Sequence, residues 1–248
     1  MKPTQLELPS EYVAFSGGKD STALVYRLAE LGEHFGLIFT PTGNELPEVR
    51  AHIDRVTRDL GARLYTPTNR GLEFWIREHE ALPNNRQRWC TRQIKVEPCA
   101  AFLAVRPGST LLVGLRADEE DRKGAAYSGI VRRFPMQEWG WRLPDVLGYL
   151  EQHRIHVPAR TDCAWCYDQR LSDWWRLWKT EPELWKRGER IEARVSLARG
   201  KSCSFRSPSR DTWPAPLRLL RKRFEAGDVP RGVDDDDTEE TKCRECTM

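Results

Sequence analysis

No apolar run in this chain of 248 residues approaches the roughly 20 residues that cross a bilayer, so the pattern excludes a membrane-spanning helix. The opening residues, MKPTQLELPSEY, lack the apolar stretch of a secretory leader. The spacing GxxxxGK[ST] of the common P-loop is missing, so phosphate is not held by the usual NTPase cradle. No segment repeats. Without leader or span, the expected location is cytoplasmic. The seven cysteines are then expected mainly as thiols or metal ligands rather than disulfides.

A core is affordable: hydrophobic residues make up 39% of the chain, with 10 Trp. At roughly 100–200 residues per domain, the length fits one large domain or one with an extension. The net charge of +3 hides an asymmetry. Residues 227–248 carry eight acidic and three basic side chains, a net of −5, which leaves +8 on residues 1–226. A basic body suits an anionic ligand, a nucleotide or a nucleic acid. Solvated surface charge without a partner is the plain alternative.

Short apolar runs alternate with helical periodicity through the first half. Strands are expected at 12–15, 35–40, more weakly 63–66, and 110–115. Helices are expected at 22–31, 48–60, 71–79 and 97–105, the first with Ala23, Leu24, Leu28 and Leu31 on one side. Such alternation implies right-handed βαβ units and a mainly parallel twisted sheet with flanking helices, an α/β fold. The second half reads as helices at 143–153, 170–179, 181–197 and 214–225. The expected division is a nucleotide-binding α/β domain at 1–135, a helical Cys-containing part at 136–226, and an acidic, disordered tail at 227–248.

Ser16-Gly17-Gly18-Lys19-Asp20-Ser21 follows the first strand and opens the first helix. Two glycines let backbone N–H groups turn toward a phosphate, and the helix N-terminus adds positive potential. Lys19 adds a mobile charge, and Ser16 and Ser21 add hydroxyls. Asp20 either holds Mg²⁺, a role Asp118 also suits, or braces the turn.

This loop resembles the PP-loop of the N-type ATP pyrophosphatases and of their sulfonucleotide-reductase relatives, the PAPS reductases, in the adenine nucleotide alpha hydrolase-like superfamily. Further blocks are similar in family order. Thr42-Gly43-Asn44-Glu45-Leu46-Pro47-Glu48 resembles the segment after the second strand. Trp89 to Pro98 resembles the family's Cys-containing segment ending in Lys-x-x-Pro. Gly114-Leu115-Arg116, followed by Arg122, is similar to its strand-end Gly-x-Arg motif. Trp139 to Pro158 resembles the stretch before the C-terminal Cys pair. The resemblance implies a site for ATP or an adenosine phosphosulfate at the C-terminal edge of the sheet. Ser16 to Ser21 would hold phosphates, Gly43 and Glu45 would line the nucleoside side, and Lys95, Arg116 and Arg122 would neutralise the remaining charge. Lys19 and Arg116 would stabilise charge developing on phosphate oxygens. For each basic residue alone, a surface salt bridge is the alternative.

Cys163-Ala164-Trp165-Cys166 has the C-x2-C spacing of metal or iron–sulfur ligands. The resemblance places it where many sulfonucleotide reductases carry half of a four-Cys cluster site. Their other half is a double Cys, and here Trp89-Cys90 leaves one ligand missing. Cys203 or Cys99 is the candidate fourth, with Cys203 preferred. Four Cys suit a [4Fe–4S] cluster or Zn²⁺, and the resemblance favours the cluster. In the tail, Glu245-Cys246 is faintly similar to the mobile Glu-Cys of reductase C-termini, a thiolate able to attack sulfur. Cys243-Arg244-Glu245-Cys246 also has redox-pair spacing, and incidental tail thiols are the bland reading.

Two enzyme readings compete. One adenylates a substrate with pyrophosphate release and delivers sulfur to it, the substrate being a nucleic acid or another sulfur acceptor and the sulfur coming from a thiol or sulfur-donor protein. The intact loop favours this, because Lys19 and Ser21 suit a triphosphate. The other reduces an adenosine phosphosulfate to sulfite through Cys246. A third reading is a nucleic-acid-binding module presenting Arg170, Trp174, Trp175, Arg176, Trp178 and Lys179, against core packing of amphipathic helices.

Overall fold

The computed structural model describes residues 9–119 and 129–233. Arg122, Cys243, Cys246 and the acidic run from Asp234 lie outside the described residues.

Five short strands form one parallel sheet: β1 (Glu11–Ala14), β2 (Phe35–Ile38), β3 (Leu64–Tyr65), β4 (Thr110–Leu112) and β5 (Val131–Arg133). Their spatial order is β3-β2-β1-β4-β5. Side chains alternate between the two faces, as the pleat requires. Val13, Phe15, Leu37, Phe39 and Leu112 enter the larger core. Tyr12, Ala14, Ile38, Leu111 and Val113 enter a smaller one with Cys99 and Leu103. Burial on both faces is what parallel strands read as continuous apolar runs demand.

The helices α1 (Lys19–Glu30), α2 (Pro47–Leu60) and α3 (Leu72–His79) follow the first three strands. The α1 helix buries Ala23, Leu24 and Leu28, but Leu31, grouped on the same side in the sequence, caps its end and is 49% exposed. Gly17, with φ +77°, and the extended Gly18 end the turn, so α1 starts three residues before the expected Thr22. A π-helical turn, Thr91–Val96, runs directly into α4 (Glu97–Ala104) on the smaller-core side. Sequence periodicity gave no sign of that turn. Nor did it show β5, whose Val-Arg-Arg is only half-buried at the sheet edge.

After α5 (Pro135–Glu138) and α6 (Leu143–Gln152) come α7 (Leu171–Thr180), α8 (Pro182–Arg199) and α9 (Leu217–Glu225). The larger buried cluster contains Val13 and Phe224 alike, so the helices share a core with the sheet. Trp174 is fully buried and meets Trp185 edge-on at 6.2 Å, and Trp178 lies against Phe224 at 5.4 Å. The Trp row offered as a nucleic-acid face is therefore, at Trp174 and Trp178, helix packing. Glu192, on α8, is buried and accepts the backbone N–H of Phe205 at 2.9 Å and of Leu217 at 2.7 Å, fixing two loops to that helix.

Candidate nucleotide and thiol site

The chain runs outward from β1 to β3, then returns to place β4 on the other side of β1. Open α/β sheets bind ligands where the strand order reverses, beyond the C-terminal strand ends. Ser16 to Ser21 occupies that point. A Cβ on Gly17 would lie 3.2 Å from Ile53 Cγ1, and one on Gly18 would lie 3.1 Å from Thr161 Oγ1. Gly114 lets the end of β4 approach α1, since a Cβ there would come within 3.3 Å of Ser21 N. The Ser21 hydroxyl donates to Gly18 O at 3.1 Å and stands 3.2 Å from Ser16 Oγ. The N-cap of α1, Gly18, makes no side-chain cap hydrogen bond, and a helix N-terminus offers an anion N–H groups and positive potential.

Arg116 is nearly fully buried and bonds Asp20 at 2.9 Å and Asp118 at 2.9 Å, with Glu119 at 3.6 Å. Three carboxylates surround one guanidinium. Arg116, which the resemblance implies neutralises phosphate charge, thus also braces the loop from behind through Asp20. Burial raises the Asp20 pKa, and the Arg116 charge opposes that rise. Behind the loop, buried His52 contacts Thr22 Oγ1 through Nε2 at 3.0 Å and Arg55 through Nδ1 at 2.7 Å. Arginine has only donors, so Nδ1 accepts and Nε2–H donates to Thr22. Burial first, and Arg55 second, lower the His52 pKa to about 4. No motif marked His52, because its partners lie on different helices.

The segment after β2 is self-braced. Glu45 accepts from the Thr42 backbone N–H and hydroxyl and, at 3.2 Å, from Gly43 N. Its carboxylate thus builds the turn expected to face the nucleoside. Gly71 packs so tightly on the Thr42 carbonyl that any Cβ would collide with it. Asn44 is buried, its Nδ2 has no partner, and its carbonyl accepts Ala164 N at 2.9 Å. That bond ties the segment to the turn between Cys163 and Cys166.

Cys90, Cys163 and Cys166 line one small cavity of about 20 Å³ together with Thr42 and Lys95, room for about one water. Lys95, expected on phosphate, stands among the thiols. Arg160, 12% exposed, bonds Asp162 and donates to the Cys163 carbonyl at 3.0 Å, and its charge interacts with Cys166. Cys203 does not line the cavity; its backbone is tied to Ser196 of α8, which accepts from its N–H at 2.9 Å. Cys99 lies in the smaller core behind the sheet, where burial pushes its pKa up to about 12. Among the described residues no three metal-ligating side chains stand close enough to hold an ion, so the thiols converge without forming a closed coordination set. Sequence alone assigns no role to Arg160 and Asn44, which act through backbone carbonyls, or to Asp162, which acts through the Arg160 side chain.

Residues 11–159 match the model of the phosphoadenosine phosphosulfate reductase domain, and the chain belongs to that family. It is thereby a PP-loop protein of the adenine nucleotide alpha hydrolase-like superfamily, whose members are nucleotide-binding enzymes. An uncharacterized protein of Methanocaldococcus jannaschii is 27% identical over 197 residues, covering 72% of this chain and 40% of the relative. The chain thus spans less than half the length of that relative. Among solved structures, phosphoadenylyl-sulfate reductase from Candida auris in a phosphate complex is 18% identical, covering 61% of this chain and 76% of that one, with a TM-score of 0.48. The U34-tRNA thiolase of Methanococcus maripaludis, solved with its [4Fe–4S] cluster, is 13% identical, covering 78% and 70%, with a TM-score of 0.47. No helix among the described residues is long and apolar enough to cross a membrane.

Proposed function

We propose that the chain binds ATP at Ser16 to Ser21, adenylates an acceptor with release of pyrophosphate, and supports delivery of sulfur to that acceptor. The observation that carries this reading is the adjacency of phosphate loop and thiols. Thr161 stands so near Gly18 that a Cβ there would lie 3.1 Å from its Oγ1, and two residues later Cys163 begins the turn that the Asn44 carbonyl ties down through Ala164 N. An acceptor oxygen attacks the α-phosphorus, and the bond to pyrophosphate breaks. Lys19, Ser16, Ser21 and the N-terminus of α1 take up charge on the leaving phosphates. Arg116 and Asp20 hold the loop in place; Mg²⁺, if bound there near Asp20 or Asp118, would offset phosphate charge. A sulfur nucleophile from a donor thiol or protein then displaces AMP from the acceptor. Gly43, Glu45 and the Thr42 segment border the nucleoside.

Cys90, Cys163 and Cys166 line one cavity beside Lys95, but as they stand they are not close enough to hold an ion, so a [4Fe–4S] cluster or a zinc ion would require the three thiols to draw together. The small cavity must open to admit it. When bound, such a centre supplies a place to hold or pass sulfur. Cys203 is the remaining candidate for a fourth ligand, after movement of its loop.

An anaerobic assay with ATP and with each adenosine phosphosulfate, scoring pyrophosphate and sulfite, tests the reading. Pyrophosphate without sulfite is expected, and Lys19→Ala removes it. The match to the reductase domain family favours a second reading, reduction of a phosphosulfate. Sulfite production lost in Cys246→Ser establishes that reading and overturns the first.

A further inference from the structure

Between α3 and the π-helical turn runs an open groove of about 570 Å³, lined by His79, Arg88, Trp89, Arg92 and Arg199 among others; no carboxylate lines it, and of these cations Arg92 pairs with Glu97 at 3.4 Å. Arg86 and Arg88 are exposed on the adjoining loop. Arg199 reaches across from α8 and donates to the carbonyls of Glu80 at 2.7 Å and His79 at 3.2 Å. Those acceptors are neutral, so they fix the guanidinium and leave its charge unspent. Two rings line the groove beside the cations, His79 and Trp89, 5.0 Å apart, and Trp75, outside the lining, stacks on His79 at 5.7 Å.

One segment separates this groove from the thiol cavity. Residues 88, 89 and 92 line the groove, while 90, 91, 94 and 95 line the cavity. The wall between them is one turn of helix. A π-turn is a common device at functional sites. Here it lets neighbouring residues serve both sides.

We infer that this groove docks the sugar–phosphate backbone of a single-stranded nucleic acid, the acceptor whose activation is proposed above; the inference rests on that reading. Clustered guanidiniums pair with successive phosphates, and aromatic planes accept unstacked bases. A strand held there passes one helical turn from Cys90. An adenylated atom on a base or sugar then needs only to reach over that wall to meet sulfur. An acidic protein would use the same charges but would leave the two rings without a role.

Binding of fluorescein-labelled oligo(U) and oligo(dT) of about 20 nucleotides to the full chain is measured by anisotropy across a salt series. Arg86→Glu with Arg88→Glu, both on exposed positions, is expected to weaken binding by about tenfold or more and to reduce the salt slope by about 1.4, at about 0.7 per phosphate contact on a single strand. ATP binding by the variant stays unchanged. Equal oligonucleotide affinity for variant and parent overturns the proposal, as does a parent that binds ATP but neither oligonucleotide. A parent that binds oligonucleotide but no ATP leaves the groove standing and removes the adenylation reading instead. Preference for one of the two oligomers separates RNA from DNA as the source of the backbone.

Discussion

The Arg116 guanidinium meets the Asp20 carboxylate at 2.9 Å across the point where strand order reverses. The pair joins the end of β4 to the first turn of α1, and Gly114 clears the space between them. Arg116→Ala leaves Asp20 and Glu119 largely buried without their counter-charge. Breaking such a pair from one side costs about 3–5 kcal/mol. Urea unfolding is expected to register that loss, with ATP affinity falling alongside it. Full stability with lost ATP affinity would instead make Arg116 a direct phosphate ligand.

His52 gives the fold a limit on the acid side. Its folded-state pKa is lowered, by burial first, from 6.5 to about 4. Between those values the unfolded chain binds a proton that the folded chain refuses. The stabilisation is complete above pH 6.5 and is lost as pH falls toward 4, on the order of 3 kcal/mol in all. Urea titrations at points across this window are expected to show stability rising with pH. His52→Gln flattens that rise, and an unchanged slope in the variant refutes the assignment.

Glu192 works in the opposite direction. Burial raises its pKa from 4.5 to about 8, against the backbone N–H groups of Phe205 and Leu217 that favour the anion. Its contribution is fully present below pH 4.5 and declines as pH rises through 8. In Glu192→Gln the amide accepts one N–H but turns its own donors toward the other. A buried donor left unsatisfied costs about 1–3 kcal/mol. Thermal melts at pH 6 and pH 8 should show a lower Tm for the variant and a smaller difference between the two pH values.

The thiol cavity makes an anaerobic prediction. Protein purified without oxygen is expected to carry iron and acid-labile sulfide and to absorb broadly near ~400 nm. Serine at Cys90, Cys163 or Cys166 removes that absorbance. Serine at Cys99, behind the sheet, leaves it intact. Colourless protein without iron defeats the cluster, and zinc analysis then decides between a zinc site and plain thiols.

The sheet was legible because parallel strands buried on both faces read as continuous apolar runs, and Tyr12 to Ala14 is such a run. The phosphate loop was legible because Gly17 and Gly18 answer to a local backbone demand. Arg116 was found by its motif, but its burial among three carboxylates was not, since Asp20 is 96 residues away in sequence. Edge strand β5 escaped because its charged residues break the apolar signal. The Trp residues of α7 misled on one reading because aromatic and basic residues alternate in a packed amphipathic helix as they do on a binding face. Only the partner helices, α8 and α9, settle which side is buried.

Trp165 sits between Cys163 and Cys166 and donates its indole N–H to the Leu184 carbonyl of α8 at 3.0 Å. A side chain at Gly188 would press on that ring, its Cβ lying 2.9 Å from Trp165 Nε1. The sulfur-bearing turn thus hangs from a helix lying beyond the 11–159 segment that the family holds in common. Divergence in α8 can therefore shift two sulfur atoms while the phosphate loop keeps its shape.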